Sequence, residues 1–315
     1  MINPQEDTGQ PLVSVVCLTY KHEKYLAQAI ESFLAQETDF SFEVLIHDDA
    51  SPDGTLAIAR QYADKYPHII RVIAQTENQH SKGVRIPPLL FAKARGRFIA
   101  YCEGDDFWID NHKLQKQADL LLRDEELGAI FTDADILYEG KSKLIKAYDR
   151  STRRKIPTGD VRKSLLVGNP YKTCTSMFRL ELVMGYEVMA DRLRARMCDY
   201  VWWLTIAENT KVAYINQSTA TYRVLRQSAS HFVSAIPAVR FARSGLRVAL
   251  YFNKRFSRLI PDDAIWHNYR NTVLARCLSY GHYRAAVRRA KSPQELLLVM
   301  MRVIARWLTS RVMAR

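Results

Sequence analysis

The sequence predicts an α/β fold: a doubly wound, mostly parallel sheet followed by a C-terminal helical extension. Three observations carry that expectation. Apolar runs of strand length alternate with stretches of helical spacing over the first hundred residues. Several of those runs stop abruptly at polar or acidic residues, and from about Ala235 onward helical patterns dominate. Strand–helix alternation implies right-handed crossovers between parallel strands, and such sheets place ligands beyond the carboxyl ends of the strands.

The elements follow in order. Val13 to Leu18 is a β-branched run that breaks at Thr19-Tyr20-Lys21-His22. Tyr25, Leu26, Ala29, Ile30, Phe33 and Leu34 then form one apolar helical face. Phe42 to Ile46 reads as a second strand ending at His47-Asp48-Asp49, and Ser51 to Thr55 is turn chemistry in which Asp53 or Thr55 caps a helix running to about Tyr66. Ile69 to Ala74 is a third strand and Pro87 to Ala94 a short helix. Phe98 to Cys102 is a fourth strand ending in Glu103-Gly104-Asp105-Asp106. Beyond it come a helix over Lys113 to Leu122 with an exposed basic edge, short strands at 129–132 and 136–138, and a polar surface excursion over 140–163. Thr173 to Phe178 is a further strand, Asp199 opens a helix, and 212–215 and 219–224 close the sheet.

Three carboxylates within four residues repel one another and are costly to bury unpaired. The Glu103–Asp106 strand end therefore calls for a divalent cation or a basic partner, and hard oxygen ligands suit Mg²⁺ or Mn²⁺, with phosphate oxygens completing the shell. A solvated acidic turn is the plain alternative; the second acidic strand end, Asp48-Asp49, favours binding. No GxGxxG follows the first strand and no GxxxxGK[ST] occurs, so a dinucleotide fingerprint and a P-loop are both excluded.

Composition bounds the function. The chain has 315 residues and a net charge of +13, unevenly spread: residues 221–315 hold 18 Lys/Arg against 3 Asp/Glu, the rest 28 against 30. A near-neutral body with a basic tail suggests a polyanionic partner such as an anionic membrane surface or a phosphorylated substrate. Nucleic acid is not expected, because no recognised nucleic-acid-binding motif accompanies the charge. Five widely spaced cysteines without zinc spacing read as reduced thiols. The N-terminus shows no secretory signal and no apolar run approaches the ~18 residues of a membrane span, so a cytoplasmic protein, peripheral to the inner face of a membrane at most, is expected.

With these residues in view, VSVVCLTYKHEKYLAQAIESFLAQ, FEVLIHDDASPDGT and GRFIAYCEGDDFWIDNHKLQKQ, with the weaker MCDYVWWLTIAENTKVAYINQSTATYRV, resemble glycosyltransferase family 2, inverting enzymes of GT-A fold that use nucleotide-sugar donors. The resemblance implies a GT-A-like catalytic domain over 1–225 and a basic helical region over 226–315. It places Thr19 and Tyr20 at the nucleotide base, Asp49 with Asp48 beside it as hydrogen-bonding partners of that base, and Asp105 and Asp106 in a DXD-type metal site. It also makes Asp199 the catalytic base, against the plain reading of Asp199 as a helix cap. Where the family carries a His after Tyr-Arg, this chain has Tyr222-Arg223 followed by Val224, Leu225 and Arg226, with His231 farther on. Either His231 reaches back, or Arg223 and Arg226 meet phosphate charge directly. The implied reaction moves one sugar from a nucleotide-sugar donor, expected to be a UDP-sugar, to a glycan or polyprenyl-linked acceptor. A sugar-phosphate nucleotidyltransferase and a non-enzymatic membrane- or nucleic-acid-binding module acting through the tail remain as alternatives.

Overall fold

The protein is described by a computed structural model covering residues 10–141, 143–225, 234–279, 292 and 299–301. Its residues divide into two compact units, the first formed by Met1–Val161, Pro170–Val188 and Thr205–Val224, the second by Arg162–Asn169, Met189–Leu204 and Leu225–Arg315.

The first unit begins with the expected alternation: β1 (Val13–Thr19), α1 (Leu26–Leu34), β2 (Phe42–Asp48), α2 (Thr55–Lys65), β3 (Ile70–Ala74), α3 (Ile86–Phe91) and β4 (Phe98–Tyr101). It continues through β5 (Phe107–Trp108), α4 (Lys113–Arg123), β6 (Leu127–Tyr138), β7 (Lys143–Ile145) and α5 (Tyr148–Ser151). After α6 (Arg162–Leu166) come β8 (Met177–Arg179), α7 (Tyr186–Arg192), α8 (Cys198–Asn209) and β9 (Lys211–Val224). The strands form one sheet in the order β3-β2-β1-β4-β8-β6-β9-β5, with β7 paired to β6. β1 is parallel to β2 on one side and β4 on the other, so the ends of all three strands point to one rim. β8 runs antiparallel to β4 and β6, and the sheet is mixed from there on.

Branched and aromatic side chains on the strands explain why this unit folds. Val13, Val15, Val44, Ile46, Phe98 and Ala100 pack with Leu26, Ile30 and Phe33 of α1 and Leu114 and Leu121 of α4. Each such large apolar side chain contributes roughly 1.5–3 kcal/mol by leaving water. Asp53 accepts a hydrogen bond from the Thr55 backbone N–H at 3.2 Å, but the N-cap of α2 is Gly54 and carries no side-chain capping bond, so neither Asp53 nor Thr55 is the cap expected from the sequence.

Further expectations need correction. The strand read at Thr173 to Phe178 is a single 3₁₀ turn over Thr173–Thr175 followed by β8, which starts at Met177. The short strands read at 129–132 and 136–138 are one twelve-residue strand, β6, because Asp133 and Asp135 lie inside it as buried, hydrogen-bonded acids. Likewise 212–215 and 219–224 are one strand, β9, whose pairing with β6 shifts register around Asp133. The 140–163 excursion is not simply polar surface: it contains β7 and α5, and Ala147 and Asp149 are buried.

In the second unit, α9 (Ala235–Arg255) packs against α10 (Asp262–Ser279), with a small core of Val273, Leu274, Cys277, Leu278 and Val299. Trp202 and Trp203 of α8 are both buried and meet edge to face with ring centroids 5.8 Å apart. No helix of the described residues is long and apolar enough to cross a membrane. Most of the final basic segment, 293–313, lies outside the described residues.

Candidate active site

At the carboxyl rim of β1, β2 and β4 the chain makes three tight exits. Thr19 ends β1 buried, its hydroxyl donating to the His47 carbonyl at 3.0 Å and to Asp48 Oδ1 at 3.3 Å. Lys21 and Ala50, just past β1 and β2, both adopt left-handed backbone with φ of 61° and 57°. Non-glycine residues in that region are strained, and such strain gathers where a site over-determines its backbone. Tyr20 is 40% exposed, with the Lys21 ammonium over its ring at 5.1 Å from the centre.

Asp48 and Asp49 have different surroundings. Asp48 has no exposed surface; its Oδ2 accepts from the Ser51 N–H at 3.0 Å and braces the turn. Asp49 reaches across to the next loop, where Oδ1 accepts from the Gln79 N–H at 2.8 Å and Oδ2 from the His80 N–H at 3.0 Å. Each carboxylate oxygen keeps a second lone pair for a further donor. The Asp49 N–H in turn donates to the Thr19 carbonyl at 3.1 Å, fastening the two strand ends together.

The acidic tip after β4 docks beside them. The Gly104 N–H donates to the Leu18 carbonyl at 2.9 Å. A Cβ on Gly104 would lie 2.7 Å from Thr19 Cγ2 and 3.0 Å from His22 Nδ1, so only glycine permits this approach. Thr173 Oγ1 donates to the Glu103 carboxylate, 2.9 Å from either oxygen. Asp105 stands 4.0 Å from His22 Nε2. Asp106 is 2% exposed and accepts the Arg223 N–H at Oδ1 over 2.7 Å. Burial above all, then the charges of Asp105 and Glu103, push the Asp106 carboxyl well above the usual carboxylate range; the Arg223 N–H and the Cys174 thiol pull the other way.

Arg223 holds this tip together. Its Nε donates to the Asp105 carbonyl at 2.7 Å, Nη1 to Glu139 at 3.1 Å and Nη2 to Gln28 at 2.8 Å, between the rings of Tyr25 and Phe107. All three guanidinium nitrogens thus have protein partners. The guanidinium expected at the nucleotide sugar stabilises the backbone that carries the acids. Arg226 and His231, the other expected counter-charges, lie outside the described residues.

His22, Gln28 and Glu139 are the site residues that sequence patterns did not single out. His22 stands apart from the other two: its Nδ1 is buried with no hydrogen-bond partner among the described residues. Burial depresses its pKa against the opposing pull of Asp105. The available signal was its place in a polar break three residues beyond a strand end.

Asp105 and Asp106 are the oxygen donors of this rim that could take part in holding a hard divalent cation. Among the described residues no group of three or more His, Cys, Asp and Glu is arranged to hold an ion alone. Asp105 and Asp106 offer oxygen ligands under mutual repulsion, which suits Mg²⁺ or Mn²⁺ bound by one or two carboxylates and completed by substrate phosphate.

Asp199 belongs to the second unit. It lies in the first turn of α8 and accepts from Asn169 Nδ2 at 2.9 Å. Burial raises its carboxyl above the ordinary value, while the Tyr200 backbone N–H and Asn169 pull it down.

Comparison with known proteins gives the family and the fold. The profile of the family described as Glycosyl transferase family 2 matches residues 14–180. An uncharacterized protein of Mycobacterium tuberculosis is 32% identical over 67% of this chain and 58% of its own length. This chain therefore spans under two thirds of that relative. The Escherichia coli UDP-Glc:alpha-D-GlcNAc-diphosphoundecaprenol beta-1,3-glucosyltransferase WfgD is 33% identical over 36% of this chain and 42% of its own. Among solved structures, S. aureus TarS (1–349) in complex with UDP-GlcNAc superposes with a TM-score of 0.56 at 17% identity, covering 85% of this chain and 73% of that one. The mannosyltransferase PcManGT from Pyrobaculum calidifontis, in complex with GDP-Man and Mn²⁺, superposes with a TM-score of 0.58 at 16% identity, covering 98% and 86%. At such identities the two structures show the fold alone, which is that of GT-A glycosyltransferases.

Proposed function

The chain belongs to glycosyl transferase family 2, and from that premise we propose that it transfers a single sugar, with inversion, from a nucleotide-sugar donor to a hydroxyl of a glycan or lipid-linked acceptor. One observation carries the reading. Two acidic strand ends some fifty residues apart in the chain are fastened to the end of the same central strand, Asp49 through the Thr19 carbonyl and the Glu103–Asp106 tip through the Leu18 carbonyl. A UDP-sugar is the favoured donor: Tyr20 offers a ring for the base, and an Asp49 oxygen an acceptor for the uracil N–H.

Asp105 and Asp106 would hold the Mg²⁺ or Mn²⁺. When bound, such an ion neutralises charge that develops on the departing nucleoside diphosphate. The chain's own residues do the rest. Arg223 keeps the acids at the rim. Asp199 takes the proton of the acceptor hydroxyl as its oxygen attacks the anomeric carbon opposite the leaving group, and the glycosidic C–O bond to phosphate breaks with its electron pair going to the diphosphate. A positioned base of this kind contributes ~10²–10⁴-fold. The basic tail, with Arg240 and Arg243 exposed on α9, fits contact with an anionic membrane surface where a lipid-linked acceptor would be presented.

The test is a panel of nucleotide sugars, with and without EDTA, scored for release of free nucleoside diphosphate. Release from one UDP-sugar that chelation abolishes is the expected result. Release unchanged by EDTA removes the metal, and no release from any donor with any glycan or lipid-linked acceptor overturns the transferase reading.

A further inference from the structure

Residues 140–161 are the most basic stretch of the first unit, and the site just described makes no use of them. Its fold is built around buried acids. Asp133 Oδ1 accepts the Asp149 N–H at 2.8 Å and Oδ2 the Arg150 N–H at 3.1 Å, while Asp135 Oδ1 accepts the Ala147 N–H at 2.8 Å. Asp149, 3% exposed, is gripped in turn by Lys172 Nζ at 2.9 Å, Arg154 Nη1 at 3.1 Å and the Tyr214 hydroxyl at 3.3 Å. Ala147 and Arg153 hold left-handed backbone at either end of the turn, with φ of 44° and 55°. A loop that only needed to be wet would not require three buried carboxylates to fix its shape.

What this framework presents is a cavity of about 330 Å³ lined by Arg150, Arg153, Arg154, Tyr214 and Asn216 over the Asp149 floor. Arg154 is paired with Asp149, whereas the guanidinium groups of Arg150 and Arg153 have no ion-pair partner among the described residues. Three guanidinium groups against one carboxylate leave an excess of positive charge. Their planar forks match phosphate oxygens in pairs, and the phenol and amide add neutral hydrogen-bonding groups.

The place of the cavity says which phosphate. Lys172, which grips Asp149, is followed by Thr173, which grips Glu103, so one backbone step joins the cavity floor to the acidic tip. The tip also bonds β9, Asp106 accepting the Arg223 N–H at 2.7 Å, whereas Tyr214 of the cavity lies nine residues earlier on that strand, near its start. A donor held by its base beside Asp49 and by its diphosphate at the tip leaves the cavity to the other substrate.

We infer that the Arg150–Arg153–Arg154 cavity is an anion subsite for the phosphate or diphosphate group of a phosphorylated acceptor. This rests on the transferase reading above for the identity of the phosphate's owner, but not for the binding itself.

The experiment therefore has two arms, both on the full chain and on the exposed-residue variant Arg150→Ala/Arg153→Ala, with folding checked by thermal melting. In the first, inorganic pyrophosphate is titrated calorimetrically in EDTA, a measurement independent of turnover. Wild type binds, and the variant binds at least tenfold more weakly. In the second, transfer is measured from the active nucleotide sugar to a short-chain lipid-diphosphate sugar and to the same sugar as a phosphate-free alkyl glycoside. The variant raises KM for the diphosphate acceptor at least tenfold, leaving the glycoside and the donor KM unchanged. Equal pyrophosphate binding by both proteins, or none by wild type, overturns the subsite. A raised donor KM with unchanged acceptor preference assigns the phosphate to the donor and overturns the inference. Arginine-dependent pyrophosphate binding in a chain that transfers no sugar keeps the anion site and sinks the transferase reading alone.

Discussion

Lys113 begins α4 with no exposed surface, its ammonium 4.5 Å from the Trp108 ring centre and donating to Gln117 Oε1 at 2.6 Å. The basic helical edge expected from sequence is therefore, at this position, an interior one. A charge in a hydropathy pattern reads as surface, and the pattern does not record that Gln117, one turn along, accepts from it. Burial lowers the Lys113 pKa from 10.5 to about 8. Between those values the unfolded chain binds the proton and the folded chain does not, so stability rises with pH across the window, and below about 8 the full penalty of the buried charge is present. Lys113→Met removes the titration. The stability of wild type relative to this variant should grow by about 3 kcal/mol from pH 8 to 10.5, at 1.36 kcal/mol per pH unit. Urea midpoints at a series of pH values measure it, and a difference that stays flat over the window would return Lys113 to an ordinary surface role.

At the scale of elements, the parallel half of the sheet was legible because β-branched runs and turn residues reported the same boundaries. The acidic exits after β2 and β4 were legible because a strand that stops at carboxylates marks its own carboxyl end. The mixed half was harder to read. Asp133 and Asp135 broke the apolar pattern of β6, since a sequence shows a carboxylate's preference for water but not the backbone N–H groups that replace it. For the same reason Asp149 looked like loop, and the three protein partners of the Arg223 guanidinium were not legible. Gly104 tests whether the rim depends on close approach. Gly104→Ala forces Thr19 and His22 apart, and overpacking of this kind costs roughly 1–3 kcal/mol. If that strain falls on the joined strand ends, UDP should bind roughly 5- to 100-fold more weakly, at 1.4 kcal/mol per tenfold. Gly168→Ala, where nothing lies within 4 Å of the added carbon, is the control. Unchanged UDP affinity in the Gly104 variant would separate the rim from nucleotide binding.

At the scale of the whole molecule, a linear division at residue 225 is one way to cut the chain, but the second unit also gathers Arg162–Asn169 and Met189–Leu204. Within that unit α9 is tied to the segment that leads into α8. Arg247 Nε donates to the Leu193 carbonyl and Nη2 to the Arg194 carbonyl, both at 2.9 Å, and Ser244 Oγ accepts the Arg196 N–H at 2.7 Å. Asp199 comes three residues after Arg196, so part of the basic tail acts as a splint for the proposed base. A tail that served only to reach a membrane would not need these bonds. Asp199→Asn should leave UDP binding intact and lower transfer at least ~100-fold, the low end for a general base. Because Asp199 has a raised pKa, wild-type kcat should fall on acidification at a pH above that expected of an ordinary carboxylate, and the variant should lose that limb. Arg247→Ala removes two bonds from a charged donor, each worth roughly 1.5–3 kcal/mol, so the splint loosens while the first unit is untouched. Its expected signature is a kcat lowered about tenfold with a soluble acceptor, at unchanged UDP affinity. A soluble acceptor removes any membrane from the assay, so normal kcat in Arg247→Ala would mean that this contact does not position Asp199, and a tail that only localises the enzyme would then account for its charge.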